Sequence, residues 1–199
     1  MARNREPILK RCKALGISPM VMGIAKESKR DPHANQRKKK VSEYGLQLKE
    51  KQKLKFIYGV MEKQFYHYFK VAEKMDGITG DNLVTVLESR LDNVVYRAGF
   101  ATTRREARQM VCHGHFLVNG KRVDIPSYRV KADDVVALCD NAKKSVRIKE
   151  IVETNHGRMV PEWIEANAET LTAKIARMPL RSDLDFELEE HLVVELYSR

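Results

Sequence analysis

The sequence predicts an α+β fold, because helical periodicity fills the first half of the chain and strand signals fill much of the second. Apolar residues recur at three- and four-residue steps from Leu54 to Ala98, which is the spacing of one helix face. An Asn-Gly pair at 119–120, between two apolar runs, then predicts a β-hairpin. Residues 183–197 return to helical spacing, so a helix is expected there as well.

The first 45 residues predict an extended basic arm. They contain Pro7, Pro19 and Pro32 and the cationic run Arg37 to Lys40, with little apolar periodicity. Such a segment does not offset the entropy of its own ordering without a partner or a packing surface, and a solvated tail is the alternative for the free protein. If packing holds the arm, it does so through Ile8, Leu9, Leu15 and Ile17.

Consecutive helices are expected from residue 46 onward. Gly59 divides the first apolar stretch into two helices, and a later apolar face ends at Gly99, a residue suited to the left-handed position after a helix. The interval Thr103 to Glu106 has the S/T-x-x-E pattern that begins a further helix. The inward stripe of this helix is Ala107, Met110 and Val111, and its outer surface carries Arg104, Arg105, Arg108 and Gln109.

A small sheet is expected after these helices. The run Phe116 to Val123 holds the Asn-Gly turn of the hairpin, with the positive φ angles of a type I′ turn. Further apolar runs predict short strands at 128–130, 133–138, 163–166 and 172–177, and a helix within 142–154.

The chain is strongly basic and its two ends differ in charge. It has 199 residues with 37 Lys plus Arg against 27 Asp plus Glu, a net charge of +10. Residues 1–40 hold 12 basic and 3 acidic side chains, whereas 151–199 hold 5 basic and 10 acidic ones. A cationic end predicts a polyanionic partner, and an acidic end predicts a protein neighbour, a basic surface of the same chain or solvent.

Other patterns point to a cytoplasmic protein. No apolar run reaches the roughly 18 to 20 residues of a membrane span, and the basic beginning of the sequence does not have the apolar stretch of a signal peptide. Cys12, Cys112 and Cys139 are odd in number and form no CxxC pair, which indicates free thiols in a reducing compartment.

The outer face of the 103–112 helix suits a phosphate backbone. Arginine grips phosphate through two parallel hydrogen bonds, and a helix N-terminus adds unpaired amides and positive potential. A solvated charged face is the alternative for an isolated arginine pair. The wider pattern favours phosphate binding, because 90–100, 104–109, 113–115 and 118–121 closely resemble the RNA-binding module of bacterial small-subunit ribosomal protein S4.

The resemblance to this family extends over essentially the whole chain. Outside the module it rests on Tyr44 to Leu54, Phe56 to Gly59, Ile125 to Tyr128 and Val194 to Arg199. It implies an extended arm at 1–45, followed by a helical domain at 46–90 that the helix at 183–199 completes. An RNA-binding domain of two short helices and a small antiparallel sheet is inserted at 91–180.

The family resemblance also implies a role. The chain is expected to bind a multi-helix junction of small-subunit rRNA, to nucleate assembly of the subunit body, and to contribute to translational accuracy near the mRNA entry path. Expected partners are rRNA, neighbouring ribosomal proteins, in particular ribosomal protein S5, and its own mRNA, and the chain is expected to be a monomer within the ribosome.

Double-helical RNA hides its bases, so a junction binder reads phosphates, 2′-hydroxyls and shape through dispersed polar side chains. The cations, amides, tyrosines and histidines that fit this task on several surfaces are Arg3, Arg5, Lys10, Arg11, Arg37, Lys38, Lys39, Lys40, Tyr44, Gln47, Lys49, Lys51, Gln52, Lys53, Tyr58, Gln64, Arg90, Asn93, Arg97, Arg104, Arg105, Arg108, Gln109, His113, His115, Asn119 and Lys121.

No cofactor or metal is expected. The run Cys112 to His115 resembles a metal cluster, but consecutive positions point in different directions and no second cluster lies at zinc spacing. Cys112 is expected as a packed thiol. Some family members hold the arm with a four-cysteine zinc knuckle; only Cys12 stands in that region here, so the resemblance is to the zinc-free variety.

Three other functions are alternatives to that of a structural ribosomal protein. An RNA-modifying enzyme carrying the same module requires a large catalytic domain, for which the family match leaves no residues. A stress-response RNA-binding protein shares the module alone. A helix-turn-helix DNA binder requires a dimer that matches two half-sites, and nothing in the sequence marks a dimer interface.

Overall fold

The structure is a computed structural model that describes residues 7–26, 42–155, 159–167 and 169–198. The chain divides into two units. One comprises the described residues up to Gly80 and from Asp185 onward, and the other comprises Asp81–Leu184. The sequence analysis placed the corresponding boundaries at about residues 90 and 183.

The described beginning of the chain is helical. Helix α1 spans Ile8–Leu15 and ends at Gly16 (φ 71°), and a 3-10 turn follows at Pro19–Met22. The structure therefore differs from an extended arm over residues 7–26. The reason is apolar packing: four side chains of this segment are buried, namely Cys12, Leu15, Ile17 and Met22. The expected packing of Leu15 and Ile17 is present, whereas Ile8 and Leu9 are half-buried.

The rest of the first unit is built on three helices. These are α2 (Glu43–Tyr58), α3 (Glu62–Ala72) and α9 (Glu190–Tyr197). The Ser42 hydroxyl accepts a hydrogen bond from the Gly45 amide at 3.2 Å and caps α2, and Gly59 (φ 62°) ends it. Helix α9 packs along α2, and the core contains Leu54, Ile57, Phe65, Phe69 and Val193.

The second unit begins with helices that frame its basic face. Helix α4 spans Thr79–Glu88, α5 spans Leu91–Arg97, and α6 spans Arg104–Cys112 and packs on α5. Gly99 has φ 83° after α5, as expected. Thr103 caps α6 by accepting from the Glu106 amide at 3.2 Å, while the Glu106 carboxylate accepts from the Thr102 amide at 2.9 Å. The capping pattern is thus present, except that the Glu106 carboxylate accepts from the amide of Thr102 and not from that of the capping residue, Thr103.

An antiparallel sheet of five strands completes the second unit, in the order β2-β1-β3-β5-β4. The strands are β1 (Phe116–Val118), β2 (Lys121–Arg122), β3 (Val135–Leu138), β4 (Ile164–Asn167) and β5 (Thr172–Ile175). Asn119 (φ 49°) and Gly120 (φ 78°) form the expected hairpin turn. The strand expected at 128–130 is reduced to one bridge between Arg90 and Arg129.

Two short helices lie between β3 and β4 and cover the core of this unit. They are α7 (Asp140–Lys143) and α8 (Val146–Asn155). Trp163, Phe116 and Leu138 are buried in that core together with Ile148 and Ile151 of α8. None of the helices in the described ranges combines the length and the apolar character that crossing a bilayer requires.

Candidate nucleic-acid interface

The predicted site residues fall into four groups in the structure. The first lies outside the described residues and consists of Arg3, Arg5, Arg37, Lys38, Lys39 and Lys40. The second lies on α1 and α2, the third on the outer face of α6 with the adjoining hairpin, and the fourth inside the second unit. Gln64 stands apart on α3, where it is exposed.

The outer face of α6 carries exposed polar groups. Arg105 and Gln109 are exposed, and Arg108 is partly exposed, with its guanidinium 3.5 Å from the Asp92 carboxylate. His113 is exposed after the helix, and Lys121 is exposed in the hairpin. These five side chains combine cations with hydrogen-bond donors on one element and its neighbour, which is the chemistry that an RNA backbone requires.

The side chain of Asn119 is hydrogen-bonded within the protein. Its amide nitrogen donates to the Asp134 carboxylate at 2.8 Å, and its amide oxygen accepts from the Val135 amide at 2.9 Å. These bonds fix the hairpin beside α6. We therefore assign Asn119 to positioning the loop.

Four of the predicted RNA contacts are buried inside the second unit. Arg90 makes a bidentate ion pair with Asp92, with N···O distances of 3.0 and 2.6 Å. Arg97 pairs in the same manner with Glu88 at 3.1 and 2.9 Å. The Asn93 amide donates to the Glu88 carboxylate at 2.6 Å. Buried carboxylates need such partners, because an unpaired buried charge is costly.

Arg104 is the fourth buried contact, and its predicted place on the outer surface is wrong. Its Nε donates to the Asn93 amide oxygen at 2.8 Å, and its guanidinium carbon lies 4.3 Å from the centre of the Tyr96 ring. Its exposure is only 7%. Arg104 precedes Ala107 by three residues and Val111 by seven, so helical spacing already placed it on the inward stripe.

The residues predicted on α1 and α2 are divided between surface and core. Tyr44, Lys49 and Lys10 are exposed, whereas Arg11, Gln52 and Lys53 are half-buried. Tyr58 is buried with its ring 6.5 Å from that of Phe186. Gln47 is fully buried, and neither polar atom of its side-chain amide has a hydrogen-bond partner within the described part of the chain.

Lys51 is engaged by an acidic side chain that links three helices. The Glu62 carboxylate accepts from Lys51 at 2.8 Å, from Lys55, and from the Tyr197 hydroxyl at 2.9 Å. Partial burial by itself would raise the pKa of Glu62, but the hydrogen bonds from Lys51, Lys55 and Tyr197 outweigh it and lower that pKa to about 2. Burial and the neighbouring Glu62 raise the pKa of Tyr197.

Arg122 is a functional candidate that sequence reasoning missed. Its guanidinium donates to the His113 carbonyl at 3.1 Å and occupies the place where a Cβ at Gly114 would lie. It therefore adds a cation next to His113 and His115. The signal was available, because Arg122 follows Lys121 in the hairpin strand that returns toward the end of α6.

The two histidines lie in a region of positive potential. Their ring centres are 5.9 Å apart. Partial burial, then the charges of His113 and Arg122, lower the pKa of His115. An anion placed here would relieve the repulsion between these groups.

Among the described residues, no group of three His, Cys, Asp or Glu side chains that could hold a metal ion is found. Cys112, expected as a packed thiol, is exposed, because it lies beyond the inward stripe of α6. Cys12 is buried, and burial raises the pKa of its thiol. Cys139 is half-buried, with its sulfur 3.9 Å from the Gly114 carbonyl.

Similarity to known proteins covers the full chain. Residues 3–88 match the family described as Ribosomal protein S4/S9 N-terminal domain, and residues 89–136 match the S4 domain. The chain is 55% identical over 199 residues to the small ribosomal subunit protein uS4 of Lachnospira eligens, 54% identical over 200 residues to that of Agathobacter rectalis, and 51% identical over 201 residues to that of Fusobacterium nucleatum. Each alignment covers all of both chains.

Proposed function

Because the chain belongs to the uS4 family of small ribosomal subunit proteins, we propose that it is a structural constituent of that subunit and works by binding ribosomal RNA. It is not an enzyme. The observation that carries this conclusion is the family match over both units together. An enzyme or a stress-response protein that borrowed only the S4 domain would match over residues 89–136 alone.

The exposed face of α6 with the neighbouring hairpin, which we call the α6 face, is the proposed RNA surface of the second unit. It consists of Arg105, Arg108, Gln109, His113 and Lys121. The exposed Tyr44 and Lys49 of α2 and Lys10 of α1 are the proposed surface of the first unit. The buried group, Arg90, Asn93, Arg97 and Arg104, positions α5 and α6 and makes no RNA contact in this proposal.

Further parts of the proposal are carried by the resemblance to the family. They are recognition of a multi-helix rRNA junction, nucleation of the subunit body, a contribution to translational accuracy near the mRNA entry path, contact with ribosomal protein S5 and binding of its own mRNA. The acidic residues of the second unit, which include the exposed Glu162, Glu165 and Glu169, provide a surface for a basic protein neighbour.

Charge reversal on the α6 face tests the proposal. Arg105→Glu with Arg108→Glu is compared with Lys63→Glu plus Lys74→Glu, an equal charge change at exposed positions of the first unit that lie outside the proposed surfaces. Affinity for protein-free small-subunit rRNA is measured across a salt series. Because each phosphate contact releases condensed counterions, we expect wild-type affinity to fall steeply with salt and the α6-face variant to lose about one unit of log–log slope per contact removed.

The control variant should keep a slope close to that of the wild type. Equal behaviour of the two double variants would refute the proposed surface, and a flat salt response of the wild type would refute phosphate binding as the mechanism. The control variant should unfold as the wild type does, since exposed substitutions change stability by no more than about 0.5 kcal/mol. Arg108→Glu places a carboxylate beside that of Asp92, so RNA binding is measured under conditions in which the unfolding curve of the α6-face variant shows it to be folded.

A further inference from the structure

A cavity of about 340 Å³ lies between α6 and the α7–α8 segment, entirely within the second unit. Its apolar lining comes from Met110 on one side and from Ala142, Ile148 and Ile151 on the other. These four side chains are buried members of the core. The volume falls at the lower end of the range for small-ligand sites, roughly 300 to 1,000 Å³, so the space suits one flat ring system better than an extended ligand.

Amide and hydroxyl groups surround the apolar lining. Gln109 of α6, Asn141 of α7 and Ser145 before α8 all line the cavity, and none of their side chains has a hydrogen-bond partner within the described residues. A carboxamide offers two donors and an acceptor. That combination matches the edge of a nucleobase, while the apolar lining accommodates its faces.

Two histidines and one arginine adjoin the same cavity. His113 and His115 line it, and Arg122 donates to the His113 carbonyl at 3.1 Å. The Arg122 guanidinium therefore brings a permanent positive charge next to the histidines, which favours a phosphate at this end of the cavity. The opposing charge in the lining, Glu106, is held by Arg147 at 3.1 Å and by the Thr102 amide at 2.9 Å.

The cavity is continuous with the α6 face, because Gln109 and His113 belong to both. An RNA strand that follows the exposed α6 face therefore passes the mouth of the cavity. Such continuity favours a nucleotide of the bound RNA over a free metabolite, whose binding would not require the neighbouring cationic surface.

We propose that this cavity receives one unstacked nucleotide of the bound RNA, with the base against Met110 and Ile148 and the phosphate beside His113, His115 and Arg122. The inference rests on the proposed RNA-binding function. It adds readout of a single base by Gln109 and Asn141 to a surface that otherwise contacts the backbone.

Two variants outside the α6 face test the cavity. Asn141→Ala removes one amide, and Ser145→Phe fills the space; Glu153→Gln, at an exposed position of α8 that does not line the cavity, is the control. Affinity for in vitro transcribed small-subunit rRNA is measured at one salt concentration. Loss of one hydrogen bond predicts a weakening of roughly fivefold for Asn141→Ala, Ser145→Phe should lose at least as much, and the control should change less than about twofold.

Base-specific chemical probing gives a second readout. In the wild-type complex, one unpaired base should be shielded on its Watson–Crick edge. With Ser145→Phe, that base should react again while the riboses shielded elsewhere stay shielded. Because Asn141 is exposed, Asn141→Ala keeps the test valid even if the bulkier variant unfolds, which circular dichroism would reveal.

Three outcomes would overturn the inference, and they are distinguishable. Wild-type affinity and an unchanged footprint for both variants would leave the proposed function intact and remove the cavity from it. Binding of adenosine, guanosine, cytidine or uridine monophosphate that Ser145→Phe abolishes, with an unchanged RNA footprint, would make the cavity a free-nucleotide site. Failure of the wild type to bind rRNA at all would defeat the proposed function together with the inference.

Discussion

Replacing Glu62 with glutamine tests how strongly one carboxylate joins α2, α3 and α9. The variant keeps the size of the side chain but removes the charge that Lys51, Lys55 and Tyr197 surround. The ordinary pKa of 4.5 is lowered to about 2 in the folded protein, so the folded state favours the ionised form and the variant should be less stable at neutral pH.

The size of the effect follows from the shift. The pKa of Glu62 is lowered by about 2.5 units. At about 1.36 kcal/mol per pKa unit, the charged Glu62 contributes at most about 3.4 kcal/mol to the free energy of unfolding. The Glu62 side chain is 48% exposed, however, and solvent screening reduces exposed pairs to about 1 kcal/mol or less. We therefore expect Glu62→Gln to lower the free energy of unfolding by about 1 kcal/mol at pH 7.

The pH dependence gives the sharper test. A carboxylate with a depressed folded-state pKa contributes its full stability above about pH 5 and loses it as the pH falls through 4.5 toward 2. Urea unfolding of the wild type and the variant should thus differ at pH 7 and converge near pH 2. Glu73→Gln is the matched control, because Glu73 is paired with Lys70 on exposed surface at 2.9 Å. An effect equal to that of the control, or one that persists at pH 2, would refute the reasoning.

Two further predictions concern the second unit. Arg97→Ala should lower the free energy of unfolding by about 3 to 5 kcal/mol, measured by heat or urea, because it leaves the buried Glu88 carboxylate without its bidentate partner. Arg105→Ala, at an exposed position, should lower it by less than about 0.5 kcal/mol. Similar losses for the two variants would contradict the argument from burial. Gly114→Ala should cost at least about 1 kcal/mol, since φ is 69° and Arg122 occupies the Cβ position. Adding Arg122→Ala should recover only the steric part, and full recovery would show that the backbone carries no strain.

Local signals in the sequence were sufficient for most elements. The Thr103 cap, the Asn-Gly turn, and the glycines that follow α2 and α5 all lie within a few residues of the structure they determine. The short strands also occur where the sequence placed them, except the one expected at 128–130, which is a single bridge. The final helix is present as well, although α9 begins only at Glu190. These features are recoverable because their hydrogen bonds and burial depend on near neighbours.

The state of individual cations was harder to predict. Arg97 pairs with Glu88 nine residues away, and Lys51 pairs with Glu62 eleven residues away. Only the folded chain therefore reveals which basic side chains already have an acidic partner. Helix α1 was missed because it has only two buried side chains, Cys12 and Leu15, and these need a packing surface to become ordered. Arg104 is different: its prediction on the outer surface was wrong, although its spacing of three and seven residues from Ala107 and Val111 was enough to place it on the inward stripe.

The first unit is assembled from segments that are far apart in the sequence, with α9 supplying Tyr197 against Phe65 and Phe69 at ring distances of 6.2 and 4.8 Å. During synthesis, α2 and α3 leave the ribosome long before Tyr197 is available to pack against them. Residues 81–184, by contrast, form a unit that is continuous in sequence. The nascent chain must therefore keep Phe65 and Phe69 uncovered until translation has passed residue 197. A premature stop after residue 184 would leave those two rings without Tyr197 but would leave the chain of the second unit whole.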